Sequence, residues 1–316
     1  MTDGNGQWER EVLTRLATAA LKEQRRARWW GIFFKLLTFA YISFFVVLLF
    51  DWTGGREVVS SRKHTSMVEL DGVISASSDA SADKVNAALQ AAFKDKNTQG
   101  VVLRINSPGG SPVQAQTIYD EMRRLRRKYP DIPLYAVVED ICASGGYFVA
   151  AGADRIYVAK SSLVGSIGVL MNGFGFTGLM DKLGIERRLI TSGENKGMLD
   201  PFSPLEEKHR RYAQQLADDI HQQFISVVRE GRGKRLKETP DIFSGLIWTG
   251  QKSVELGLAD GIGSLESVAR DVIKAEDIVD YTQKENIAEK VARRFGASAA
   301  SALAEFALRY SNGFLR

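Results

Sequence analysis

The sequence predicts an α/β domain behind a single N-terminal membrane span. Three observations carry this expectation. Residues 29–50 form an apolar run with one charge; from residue 67 onward, short apolar segments of strand length alternate with helix-periodic ones; and glycine-rich turns follow several of those strands.

The 316 residues suffice for one large domain or two small ones. The net charge of +4, with no basic face interleaved with aromatics, argues against a nucleic-acid partner. One cysteine, Cys142, excludes an intrachain disulfide and a cysteine-based zinc site. It reads as a small buried core residue. His64 precedes the first strand, and His209 and His221 lie in a polar helical stretch. All three read as surface residues, not as ligands or bases. No metal and no cofactor is expected.

The apolar run from Trp29 to Phe50 holds 22 residues, with Lys35 its only charge. At about 1.5 Å per residue such a helix reaches the ~30 Å hydrocarbon thickness. Trp29 and Trp30 open it and Trp52 follows it, as interfacial tryptophans do. Lys35 is close enough to the near interface to snorkel. A cleaved signal peptide would need a shorter run and a small-x-small site, which Val46-Val47-Leu48-Leu49-Phe50 does not lead into. Arg25, Arg26 and Arg28 abut the start of the run, whereas Arg56, Arg62 and Lys63 lie farther beyond its end. This bias places the N-terminus inside and the body outside the cytoplasm, in the periplasm of a Gram-negative cell. The expected organisation is a cytoplasmic tail at 1–28, a span at 29–50, a linker at 51–65, a catalytic-type domain at 66–283 and a helical tail at 284–316.

Within the domain, Met67 to Ile74 reads as a first strand ending in a glycine turn. Val85, Leu89, Ala92 and Phe93 share one helix face. Val101 to Ile105 is a buried strand that runs into Asn106-Ser107-Pro108-Gly109-Gly110. Ser111 followed by Pro112 marks a helix start, and Ile118, Met122 and Leu125 form that helix's apolar face. Its basic run, Arg123, Arg124, Arg126, Arg127 and Lys128, reads as a solvated face. Leu134 to Val138 is the next strand, Cys142 to Ala151 turns from loop into helix, and Arg155 to Ala159 is a short strand. Pro204 to Arg229 reads as one long helix. Trp248-Thr249-Gly250 precedes a short helix over Ser253 to Leu256, and 257–263 is rich in turns.

Three glycine turns carry the chemistry: Ser107-Pro108-Gly109-Gly110, Ser144-Gly145-Gly146 and Gly165-Ser166-Ile167-Gly168. Glycine after a strand lets the backbone approach a ligand and leaves its N–H groups free. Such N–H groups form an oxyanion hole when they converge on one point. A serine at the first turn of a helix, followed by two glycines, is open to a substrate.

These turns, together with Ser192-Gly193-Glu194-Asn195-Lys196, resemble the signal peptide peptidase A (protease IV) family, a branch of the Clp protease/crotonase superfamily. The resemblance spans about residues 66–275, and the anchor and length match the short, single-copy members. It implies a Clp protease/crotonase-like βαβ domain, Ser144 as nucleophile, Lys196 as general base and Ser166 as the hydrogen-bond partner of that lysine. It places the oxyanion among the peptide N–H groups of Gly109 and Gly110, with Gly145 a further candidate. It also implies a membrane-anchored serine endopeptidase acting through a Ser–Lys dyad on remnant signal peptides and other apolar peptides. Members assemble as rings, so an octamer is expected. No role is attached to Glu194 or Asn195.

A serine hydroxyl attacks poorly until a base takes its proton, and lysine serves only when desolvation favours its neutral form. A Ser-His-Asp triad would need a histidine near the nucleophile, and none of the three sits in a glycine turn. A crotonase-type acyl-CoA enzyme and a catalytically inactive membrane scaffold are the competing readings.

Overall fold

The computed structural model describes residues 4–49 and 62–283. It comprises two units, one built on the N-terminal helix and one spanning residues 58–284. In the first, α1 (Gly4–Leu49) is one uninterrupted helix of 46 residues. It runs through the expected tail 1–28 and into the expected span 29–50. Its described apolar side chains, Trp29, Phe33, Leu37, Phe39 and Phe44 among them, are exposed. Among the described residues no helix is long and apolar enough to cross a membrane. The described side chains of the expected span stop at Phe44, so 45–50 lies beyond them. The tail expected at 284–316 lies outside the described residues.

The second unit is an eight-stranded sheet among the described residues. Its strands are β1 (His64–Asp71), β2 (Thr98–Ser107), β3 (Leu134–Ala143), β4 (Arg155–Val158), β5 (Leu163–Gly165), β6 (Ile247–Thr249), β7 (Gly261–Ile262) and β8 (Ile278–Asp280). The helices are α2 (Ala82–Lys94), α3 (Pro112–Lys128), α4 (Gly145–Ala150), α5 (Thr177–Leu183), α6 (Glu207–Arg232), α7 (Gly250–Glu255) and α8 (Leu265–Ser267), the last running into a π-turn at Val268–Ile273. The strand order is β6-β5-β3-β2-β1-β8, with β4 beside β3 and β7 beside β4. All described pairings are parallel except β5 with β6.

Both faces of the sheet are covered, which is why β2 reads as a continuous apolar run. Val101, Leu103 and Ile105 point into the main core with Leu89 and Phe93 of α2, and Ile118 and Met122 of α3. Val102 points the other way, to Val137, Tyr157 and Val268. Ser111 caps α3 by accepting from the Gln114 N–H, with Pro112 opening the helix. The feature that builds the site is the long strand β3. Tyr135 to Val138 pairs with β4, whereas Ile141 to Ala143 pairs with β5. The strand thus changes neighbours midway and delivers Ser144 at the junction.

Two expectations change. Strand β1 begins at His64, two residues inside the expected linker 51–65. His64 and His209 are buried, not at the surface. His64 hydrogen-bonds the Arg62 carbonyl at 2.9 Å and the Tyr281 hydroxyl at 3.1 Å, a partner 217 positions away. The basic run of α3 lies at the surface, where it is laced with ion pairs. Arg123 pairs with Glu230 at 2.6 Å, Arg124 with Glu121 at 2.6 Å, and Arg126 with Asp154.

Candidate active site

Ser144 stands between the end of β3 and the start of α4, at φ 53° and ψ −124°. A residue with a side chain rarely adopts positive φ, and such strain persists only where the surroundings enforce it. Two bonds enforce it here. The Ser144 N–H donates to the Gly165 carbonyl at 2.9 Å, and its own carbonyl accepts from the Phe148 N–H at 2.9 Å. Buried Tyr147 and Phe148 fix the rest of α4. Tyr147 donates its hydroxyl to the Leu258 carbonyl at 2.8 Å, and Phe148 packs against Phe224 of α6 with ring centroids 5.2 Å apart. Burial pushes the Tyr147 phenol above its usual range, so it stays a neutral donor.

The turn after β2 closes on this serine from the other side. A methyl group on Gly109 would lie 2.8 Å from Ser144 Cβ and 2.6 Å from the Gly145 nitrogen, at a φ of 98°. One on Gly110 would lie 2.1 Å from the Ile74 carbonyl oxygen. Only glycine fits either position. The Gly109 N–H is spent on Ser107 Oγ at 3.1 Å. The N–H groups of Gly110 and Gly145 have no acceptor among the described residues. The two residues are close neighbours, since a Cβ on Gly145 would lie 3.3 Å from the Gly110 nitrogen. Two free donors near a half-buried serine are the arrangement an oxyanion site would need.

Ser166 follows β5 as Ser144 follows β3. Ala143 and Gly165 are register partners, so the two serines leave adjacent strand ends together. Ser166 also has positive φ, 50°, and its N–H donates to the Leu246 carbonyl at 2.7 Å. The structure therefore brings Ser144, Ser166, Gly109, Gly110 and Gly145 into one place. Lys196 makes no described contact with this group. It lies in a run of turns whose exposed apolar side chains include Leu170, Phe174, Leu183, Ile190 and Leu205. Lys196 is itself exposed, and its amine makes no hydrogen bond or ion pair among the described residues.

The sequence matches known families and proteins. A model described as Clp protease matches residues 63–163, from β1 into β5. A model described as peptidase family S49 matches residues 126–278, which hold Ser144, Ser166 and Lys196. A protein of Synechocystis sp. that carries the name of a protease, slr0021, is 32% identical over 207 residues, 66% of this chain and 72% of its own length. The chain belongs to peptidase family S49. The S49 relative named as the signal peptide peptidase SppA of Enterococcus faecium is 33% identical over 189 residues, 60% of this chain and 54% of its own length. A Brucella abortus protein named as the Na(+)/H(+) antiporter NhaA is 45% identical over 182 residues, 58% of this chain. The present chain spans only 25% of that protein's length.

Against this S49 framework, Cys142 is the buried core residue that its isolation in the sequence implies. Burial pushes its thiol far above the usual range, which leaves it inert. Two histidines of α6 contact the loops that carry Ser166 and Lys196. His221 Nε2 lies 3.1 Å from the Ile167 carbonyl, beside Ser166, and His209 Nε2 lies 3.1 Å from Asn195 Oδ1, beside Lys196. Neither meets Ser144, so a Ser-His-Asp triad finds no support. Contacts between α6 and loops 14 and 54 positions away leave no local signal in the sequence.

Proposed function

We propose that this chain is a membrane-anchored serine endopeptidase working through Ser144 and Lys196. The observation that carries the reading is Ser144 itself, held at positive φ with the unpaired N–H groups of Gly110 and Gly145 beside it. Ser144 Oγ attacks the scissile carbonyl, and the developing oxyanion accepts from those two N–H groups. Lys196 takes the hydroxyl proton and returns it to the leaving amine, with Ser166 holding the lysine amine in place. Water then releases the acyl group by the same route.

A lysine amine accepts a proton only once it is stripped of water. Lys196 is exposed in the isolated chain, so cover must come from a neighbouring copy and from the bound peptide. We therefore assign the base to an adjacent subunit of a ring, which we take to be an octamer. The exposed apolar side chains around Lys196 favour such an assembly, since soluble surfaces rarely leave so many uncovered. The exposed apolar belt of α1, opened by Trp29 and Trp30, favours membrane insertion. With Arg25, Arg26 and Arg28 at the cytoplasmic side, the peptidase unit faces the periplasm. There it meets remnant signal peptides and other apolar peptides.

Hydrolysis of a fluorogenic apolar peptide by the wild type, Ser144→Ala and Lys196→Ala tests the reading. Both variants should lose activity by at least about a thousandfold while keeping their fold. Equal rates in all three would overturn it.

A further inference from the structure

We infer that His209 is a positioning residue for Lys196, acting through Asn195, with Lys208 as its second arm; this rests on the dyad reading above. Glu194 and Asn195 immediately precede the lysine. Consecutive residues at the start of α6, Lys208 and His209, reach back and grip them. Lys208 Nζ lies 2.8 Å from Glu194 Oε1, and His209 Nε2 lies 3.1 Å from Asn195 Oδ1. The two arms differ in kind. Lys208 and Glu194 are both largely exposed, so their ion pair is screened and weak. His209 is only 8% exposed, so its ring is held by packing while it reaches out to the exposed Asn195.

Asn195 is suited to receive that hold. Its carbonyl accepts from the Met198 N–H at 3.1 Å, and the Lys196 N–H donates to the Gly193 carbonyl at 3.1 Å. These bonds coil the backbone tightly around the lysine, and the His209 bond fixes the coil to a long helix. The rest of α6 is anchored in the main core by Phe224 and Val228. The helix also contacts the other catalytic loop, through His221 and the Ile167 carbonyl at 3.1 Å. His209 and His221 are twelve residues apart, about 18 Å along the axis at about 1.5 Å per residue. One rigid helix therefore sets both the Ser166 turn and the Lys196 turn. For a base that must enter a neighbour's site, such rigidity keeps the amine from sampling unproductive positions.

The test is acylation of Ser144 by a fluorophosphonate probe, with peptide kcat and KM measured in parallel on the full chain in detergent. His209→Leu should lower acylation and kcat by tenfold or more with KM nearly unchanged. His209→Gln, which keeps an N–H donor, should recover most of the loss. Asn195→Ala removes the acceptor from an exposed position and should reproduce the defect without harming the fold. Combining it with His209→Leu should add nothing further. Wild-type acylation in Asn195→Ala would overturn the inference, even if His209→Leu fails to fold. So would a His209→Leu defect that glutamine does not relieve. If Lys196→Ala acylates as fast as the wild type, the dyad reading itself has failed.

Discussion

The Ser144 N–H donates to the Gly165 carbonyl at 2.9 Å, locking the nucleophile's turn to the strand end that carries Ser166. Both serines have positive φ, 53° and 50°, and their preceding residues are register partners. Two residues on adjacent, parallel strand ends keep a fixed spacing, which is what the proposed lysine contact to Ser166 would use. Replacing Ser166 with alanine should leave unfolding unchanged, because its backbone bond to Leu246 remains. It should lower kcat about tenfold to a hundredfold, as expected when a reacting group loses one positioning contact. Steady-state kinetics on the fluorogenic peptide checks this.

Gly109→Ala tests the close approach on the other side of Ser144. The added methyl would sit 2.8 Å from Ser144 Cβ and 2.6 Å from the Gly145 nitrogen. Either the serine or the oxyanion donor must move. A stability loss of about 1–3 kcal/mol is expected from strain at this φ, together with loss of acylation. A variant that is less stable yet acylates normally would show that the turn adapts elsewhere.

Much of this site was legible in the sequence, because glycine turns after apolar strands announce themselves locally. The apolar runs at 101–105 and 134–138 lie inside β2 and β3, and Ser111-Pro112 opens α3 as its chemistry requires. Strands β5, β6, β7 and β8 were not legible, since each holds two or three residues and exists only through its partner. Periodicity needs a longer window. His64 is the sharpest example of the same limit. It looks like a linker residue, but it opens β1 and meets Tyr281, which in turn holds Asp95, and neither is its sequence neighbour. Lys196 was legible as a motif residue only, and its exposure could not be foreseen from spacing.

Arg232 and Asp260 form a buried pair behind α4. The guanidinium donates to the Asp260 carboxylate at 2.8 Å and to the Gly257 carbonyl at 2.8 Å. That places the 257–260 turn where Leu258 can accept from Tyr147, three residues after the nucleophile. Arg232→Met should cost about 3–5 kcal/mol, because Asp260 then stays buried with less compensation. Denaturant unfolding of the full chain measures this. Burial alone would push the Asp260 carboxyl up. The Arg232 bond, the Ile156 N–H and Arg235 outweigh it and hold the carboxyl below the usual carboxylate range. A depressed folded-state value means stability that is fully present above the unfolded-state value of ~3.9 and is lost as acid takes the pH down through the folded one. The wild type should therefore lose more stability on acidification than Asp260→Asn, and equal losses would remove Asp260 from the account.

Co-assembly of two inactive chains separates a base supplied by the neighbour from one supplied within the chain. Ser144→Ala carries an intact lysine, and Lys196→Ala carries an intact serine. In a closed ring each interface joins the serine of one copy to the lysine of the next. With equal, random mixing, half the copies offer a serine and half of their neighbours offer a lysine, so about a quarter of the sites are complete. Chains co-expressed with two different affinity tags, and purified through both, should recover activity on that order. The exposed position of Lys196 makes this outcome the expected one. A mixture that assembles fully but stays as inactive as either parent would place the base in the same chain. Lys196 would then reach Ser144 within its own subunit.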